Sequence, residues 1–183
     1  MHLAGGDTRR FCAAVDVHYV GASGSAGTSA WARAAAVTAA DPAFAVALLE
    51  RTTVVEDVPP YRPGEFYLRE LPPVRAVLAS LGDHMRIGLI VVDGYVDLDP
   101  AGRAGLGAYV HDEFGVPVIG VAKSAFRSAT HAIPVLRGVS ARPLFVTSAG
   151  MPATTAAELV RSMAGAFRVP DALRRVDALA RGG

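Results

Sequence analysis

The segment IGLIVVD at residues 87–93 constrains the fold more than any other stretch of this chain. An unbroken apolar run of this length, rich in β-branched residues, describes a strand buried on both faces rather than one. Such a strand belongs inside a sheet with helices on either side. It stops at Asp93-Gly94. Asp-Gly is a common turn pair, yet the carboxyl end of such a strand is also where open α/β sheets place ligands. Both readings of Asp93 stay open at this point.

The rest of the chain is read around that strand. VPVIGVA (116–122) and LFVTSA (144–149) are further apolar strands. FCAAVDVHYV (11–20) alternates, with Phe11, Ala13, Val15, Val17 and Tyr19 on one face and Cys12, Ala14, Asp16 and His18 on the other. A glycine-rich turn at 21–27, a run at about 30–37, the turn TAADP and a run at 43–55 complete an antiparallel meander. Prolines at 59, 60, 63, 72 and 73 argue against a continuous helix there. The expectation is a short helical turn at 64–70 and a separate helix from Pro72 or Pro73 to about Leu81. Helices are predicted at about 102–114, 153–166 and 171–181. A meander followed by βαβ units predicts an α/β fold, a mixed sheet flanked by helices in three layers. The ribonuclease H-like fold is built in this order, and one domain over residues 1–183 accounts for the whole pattern.

Composition removes several classes of function. At 183 residues, 51% hydrophobic and 19% charged, the chain can bury a core and is not intrinsically disordered. Net charge is +1, so bulk basicity does not announce a polyanion. One cysteine, Cys12, excludes a disulfide framework and a cysteine-built zinc site. No apolar run approaches the ~20 residues that span a bilayer, and no signal pattern opens the chain. A soluble, cytoplasmic protein without a membrane partner is expected. There is no GxxxxGK[ST] loop, no GxGxxG between strand and helix and no GxSxG elbow. His84, His111 and His131 show no ligand spacing.

A few residues remain that could carry chemistry. Asp16 sits mid-strand among apolar neighbours, costly if buried and unremarkable if its face meets solvent. Glu70, in FYLRELPP, is a surface helix residue or a third carboxylate that converges with Asp16 and Asp93 on a hard cation such as Mg²⁺. Such a cluster is the usual apparatus of phosphodiester hydrolysis. Lys123 is the only lysine beside 17 arginines, and it ends a buried strand. A compact ammonium suits a single phosphate oxygen. Tyr61 lies in a proline-stiffened loop, where an aromatic either covers core or stacks on a base. Arg161, Arg168, Arg174, Arg175 and Arg181 face phosphate or only solvent.

PPYRPGEFYLRELP (59–72), VVDGYVDLDP (91–100), VPVIGVAKS (116–124) and PLFVTSAG (143–150) together resemble the endonuclease V family in order and spacing. The resemblance covers about residues 11–181. It implies a ribonuclease H-like fold and cleavage, dependent on Mg²⁺ or Mn²⁺, of a phosphodiester on the 3′ side of a deaminated purine, chiefly inosine, in DNA or RNA. Carried over by position, it implies that Asp16, Glu70 and Asp93 hold the metal and that Lys123 lies near the scissile phosphate. Tyr61, Pro63 and Gly64 fall in its strand-separating wedge loop, and Gly94 beside the pocket for the flipped base. Two family histidines are replaced, one by Asp99, which could add a fourth carboxylate, and one by Met151. An active nuclease, a catalytically weak relative that binds nucleic acid or a protein partner, and a phosphoesterase of other substrate all remain open.

Overall fold

A computed structural model describes residues 10–20, 31–56, 58 and 66–183. Seven strands form one sheet in the order β3-β2-β1-β4-β5-β7-β6. β1 (Phe11–Val20), β2 (Trp31–Ala39) and β3 (Leu49–Val55) make the antiparallel meander. β4 (Ile87–Asp93) pairs parallel to β1, and β5 (Val118–Ala122) parallel to β4. β7 (Leu144–Ala149) returns antiparallel beside β5 and carries the short edge strand β6 (Ile133–Val135). The mixed sheet expected from the sequence is present.

Helices cover both faces. α1 (Phe66–Ala79) and α2 (Leu106–Phe114) lie on the side of Ala13, Val15, Ile90, Val92 and Val118. α3 (Ala153–Ser162) and α4 (Asp171–Arg181) cover Cys12, Ala14, Val91, Ile119 and Val121. β4 therefore alternates its buried residues between two cores, which is why its sequence is apolar throughout. No helix of the described residues is long and apolar enough to cross a membrane.

Several boundaries differ from the sequence reading. α1 runs unbroken through Pro72 and Pro73. The pair removes two backbone donors, but Val74, Val77 and Leu78 on the same helix are buried against the sheet. Their burial, about 1.5–3 kcal/mol for each large apolar side chain, outweighs the lost bonds. The third strand begins at Leu49 rather than 43. Asp41 accepts the Ala43 amide at 2.9 Å, and Phe44 takes φ 52°, so this stretch turns before it pairs. β6 was not foreseen, because three residues at a sheet edge carry too little pattern. α2 starts at Leu106, after a connection closed by glycines, and α3 ends at Ser162.

Candidate metal centre and its cleft

Asp16 and Asp93 are neighbours by register. Val15 pairs with Val92 between parallel strands, so the next step along both brings the two carboxylates side by side. Alternation places Asp16 on the face of Cys12 and Ala14, which α4 covers. The exposed-face reading of Asp16 is thereby corrected. α4 adds a third carboxylate, Asp177. One oxygen from each of Asp16, Asp93 and Asp177 lies within 4.8 Å of the others.

Lys123 follows β5 directly and reaches this group. Its Nζ donates to Asp93 Oδ2 at 2.5 Å and lies 4.0 Å from Asp177 Oδ1. Burial works against the lysine charge, but the bond to Asp93 and the charges of Asp93, Asp177 and Asp16 raise its pKa overall. Arg168 Nη1 donates to the Lys123 carbonyl at 3.2 Å and to that of Pro143 at 3.2 Å, tying the lysine to the α3–α4 loop. Asp177 also pairs with Arg181 one turn on, at 3.2 Å.

One ammonium does not balance the carboxylates. Burial first, then the charge of Asp93, pushes the Asp16 carboxyl up to about 7, although the Val17 amide donates to its Oδ1 at 2.8 Å. Glu70, on α1, is pushed to about 8 by burial and by Asp16 and Asp93. Its carboxylate is outside the three-oxygen group but close enough to feel both aspartates, and it faces a cleft shared with Asp93. Like charges held in a partly buried space favour protonation, or a cation that replaces the protons.

That cleft has a volume of about 410 Å³. Tyr67 and Tyr109 form part of its lining, stacked with ring centroids 3.7 Å apart. Tyr95 and Phe126 also line it: the Tyr95 hydroxyl donates to the Ser124 carbonyl at 2.8 Å and accepts the Phe126 amide at 3.0 Å. Gly94 leaves β4 at φ 141°, where a side chain would be strained, and the space beside its α-carbon is open. The backbone beyond it is fixed by Gly94 N–H to Val121 O (3.1 Å), Gly105 N–H to Val96 O (2.6 Å) and Val96 N–H to the buried Thr147 Oγ1 (2.8 Å). Gly120 makes room for this: a Cβ there would lie 2.7 Å from Gly94 O and 2.8 Å from Thr147 Oγ1.

The structure brings together Asp16, Asp93 and Lys123, with Glu70 beside them and Gly94 at the cleft. Tyr61, Pro63 and Gly64 lie outside the described residues. Asp99 does not join the carboxylates; its Oδ1 accepts the Ala101 and Arg103 amides at 3.0 and 3.1 Å, and its Oδ2 pairs with Arg103 at 3.3 Å. Its carboxylate closes its own turn. Met151 follows the end of β7 that pairs with Val118, opposite to the Lys123 end of β5, and packs on the α3–α4 core. Its side chain takes no part at the site. His111 is structural, with Nδ1 2.7 Å from the Val116 carbonyl. Of the late arginines, Arg175 pairs with Glu50 at 2.8 Å and Arg174 with Asp171 at 3.5 Å.

Asp177 was missed by the sequence reading. It stands at a position continuing the stripe Leu173, Val176 and Ala180, where helical spacing calls for an apolar residue. A charge in that stripe was the available signal.

A family model of endonuclease V matches residues 4–145 of the chain. An endonuclease V of Streptomyces coelicolor is 33% identical over 171 residues, covering 81% of this chain and 71% of the relative. The crystal structure of endonuclease V from Streptomyces avermitilis superposes with a TM-score of 0.75 at 31% identity, over 93% of this chain and 79% of that one. Ciona intestinalis endonuclease V, in complex with a 24mer DNA containing an inosine followed by a ribo-adenosine, has a TM-score of 0.74 at 18% identity, over 94% and 84% of the two chains. At that identity the likeness concerns the ribonuclease H-like fold alone.

Proposed function

The chain belongs to the endonuclease V family and is an endonuclease, and on that premise we propose that it cleaves a phosphodiester on the 3′ side of inosine in DNA or RNA, using Mg²⁺ or Mn²⁺. In this reading residues 1–183 act as one catalytic domain in the cytoplasm. The observation that carries it is the convergence of Asp16, Asp93 and Asp177 within 4.8 Å, beside Lys123 and an aromatic-lined cleft.

The donors fit a hard divalent cation. They are all carboxylate oxygens, in number and charge suited to Mg²⁺ or Mn²⁺ rather than to a soft metal. Burial, and after it the charges of the neighbouring carboxylates, keeps protons on Asp16 and Glu70 up to about 7 and about 8, and a divalent cation is the natural replacement for those protons. Asp16, Asp93 and Asp177 would hold the ion, with Glu70 on the cleft side. When bound, such an ion supplies Lewis-acid stabilisation of the charge that develops at phosphorus.

The chain's own groups do the rest. Lys123 orients Asp93 and presents a point charge toward the scissile phosphate. The cleft accepts a purine turned out of its stack, against the rings of Tyr67, Tyr109, Tyr95 and Phe126. At Gly94 no side chain intrudes, so backbone groups read the base edge. Tyr61, Pro63 and Gly64 part the strands as a wedge.

Incubation of an inosine-containing oligonucleotide with the protein, with Mg²⁺, with Mn²⁺ or with chelator, tests this reading. Nicking one bond 3′ to inosine that requires a divalent ion is expected, and Asp93→Ala should abolish it. No nicking together with no calorimetric metal binding at millimolar ion would overturn it in favour of a non-catalytic binder.

A further inference from the structure

On the α3–α4 side of the carboxylates the surface breaks an ordinary rule. Phe167 is 60% exposed, Leu136 is 58% exposed and Val139 is fully exposed. Val139 and Phe167 line an open depression of about 420 Å³ together with Arg168 and Arg174. Two large apolar side chains held out to water in one depression mark a contact surface rather than scatter.

The loop that presents Phe167 is rigidly built. Arg137 is only 6% exposed, and its guanidinium donates to the carbonyls of Gly165 (3.1 Å) and Phe167 (3.0 Å), and to that of Met163. Gly138, at φ 59°, lets the β6–β7 turn approach the Ala166 carbonyl so closely that a Cβ would come within 2.4 Å. Burying a guanidinium is costly unless its donors are satisfied. Here that cost is met by carbonyls of the loop, and what it produces is a fixed aromatic ring facing solvent.

This surface is wired to the site. Arg168, next to Phe167, bonds the Lys123 carbonyl. Arg174 lies with its guanidinium 4.4 Å from the Phe167 ring centroid, and it precedes Asp177 by three residues on α4, about 4.5 Å of helix rise. The aromatic face and its guanidinium thus sit one helical turn from a carboxylate of the site.

We propose that Phe167 and Arg174, backed by Val139, form a second nucleotide-binding surface, on which a base flanking the cleaved bond stacks while its phosphate meets Arg174. This rests on the nucleic-acid reading above. Continuity with Lys123 through Arg168, and the half-exposed Arg174, whose 3.5 Å pairing with Asp171 is open to exchange for a phosphate, favour a polyanionic strand over a protein partner, whose occupation of this face is the competing outcome. Stacking of this kind is tolerant of base identity, so the surface contributes reach along the strand and not lesion choice.

The test measures the affinity of single-stranded oligonucleotides with and without inosine, trimmed one nucleotide at a time from each end. Wild type is compared with Phe167→Ala and Phe167→Tyr. Phe167→Ala should bind about tenfold more weakly. Phe167→Tyr should bind as wild type does, and the difference should vanish once one particular flank is trimmed away. Equal affinity of wild type and Phe167→Ala at every length overturns the proposal and leaves the face to a protein. Because plain strands also reach the surface, a Phe167 effect without any inosine preference or nicking would support it while overturning the proposed function. Inosine-directed nicking with no Phe167 effect would do the reverse.

Discussion

Two regions among the described residues that bury charge solve the problem in opposite ways. Arg137 is surrounded by backbone carbonyls that accept its donors, so its charge is spent on holding one loop in place. Asp16, Asp93 and Asp177, with Glu70 nearby, are crowded by their own kind, and Lys123 bonds Asp93 while Arg181 pairs with Asp177 from the outer side. Satisfied burial builds architecture. Burial left electrostatically unbalanced, at the carboxyl ends of strands and beside a cleft, prepares a place for a ligand of opposite charge.

The largest expected effect separates the two regions by activity. Asp16→Ala or Asp93→Ala should lower nicking of an inosine oligonucleotide by at least about 10³-fold, while thermal unfolding of metal-free Asp16→Ala stays level or improves, since one member of the crowded carboxylate group is gone and the Lys123–Asp93 bond is kept. A wild-type rate in either variant would dissolve the contrast. Arg137→Met should do the opposite. Loss of several carbonyl partners should cost about 3 kcal/mol of stability by denaturant titration, and metal affinity measured on the still-folded fraction should hold. An unchanged unfolding midpoint would show that the loop carbonyls find other donors.

A pH experiment sharpens the comparison. Folded, metal-free protein keeps protons on Asp16 and Glu70 up to about 7 and about 8, whereas unfolded carboxyls release them near about pH 4. The folded state thus binds more protons across that interval, and stability must fall as pH rises from about 4 to about 8. Millimolar Mg²⁺ or Mn²⁺ should flatten that slope, as should Asp16→Asn. A melting temperature that climbs over this range without metal would contradict the crowding. The smallest effect is expected at Thr147. Thr147→Val leaves the buried Val96 amide unpaired and should cost about 1–3 kcal/mol, with Thr147→Ser close to wild type.

Much of the framework was legible beforehand because it depends on local pattern. The doubly buried run of β4, the alternation of β1 and the apolar β7 were placed at their observed limits. α1 was not, since whether a helix survives Pro72 and Pro73 depends on what Val74 and Val77 meet across the sheet. Asp99 and Met151 were weighed as replacements for family histidines, but a turn claims the first and the far end of β7 claims the second.

The order of elements, the strand-end positions of Asp93 and Lys123 and the family blocks were determined by the sequence alone, because apolar periodicity and short motifs are properties of neighbouring residues. The metal centre itself was decided by tertiary structure. Asp16 and Asp93 meet through the parallel register of β1 and β4, and Asp177 joins them only because α4 packs across that face of the sheet. Electrostatic crowding is a property of distance in space, and no spacing along the chain encodes it.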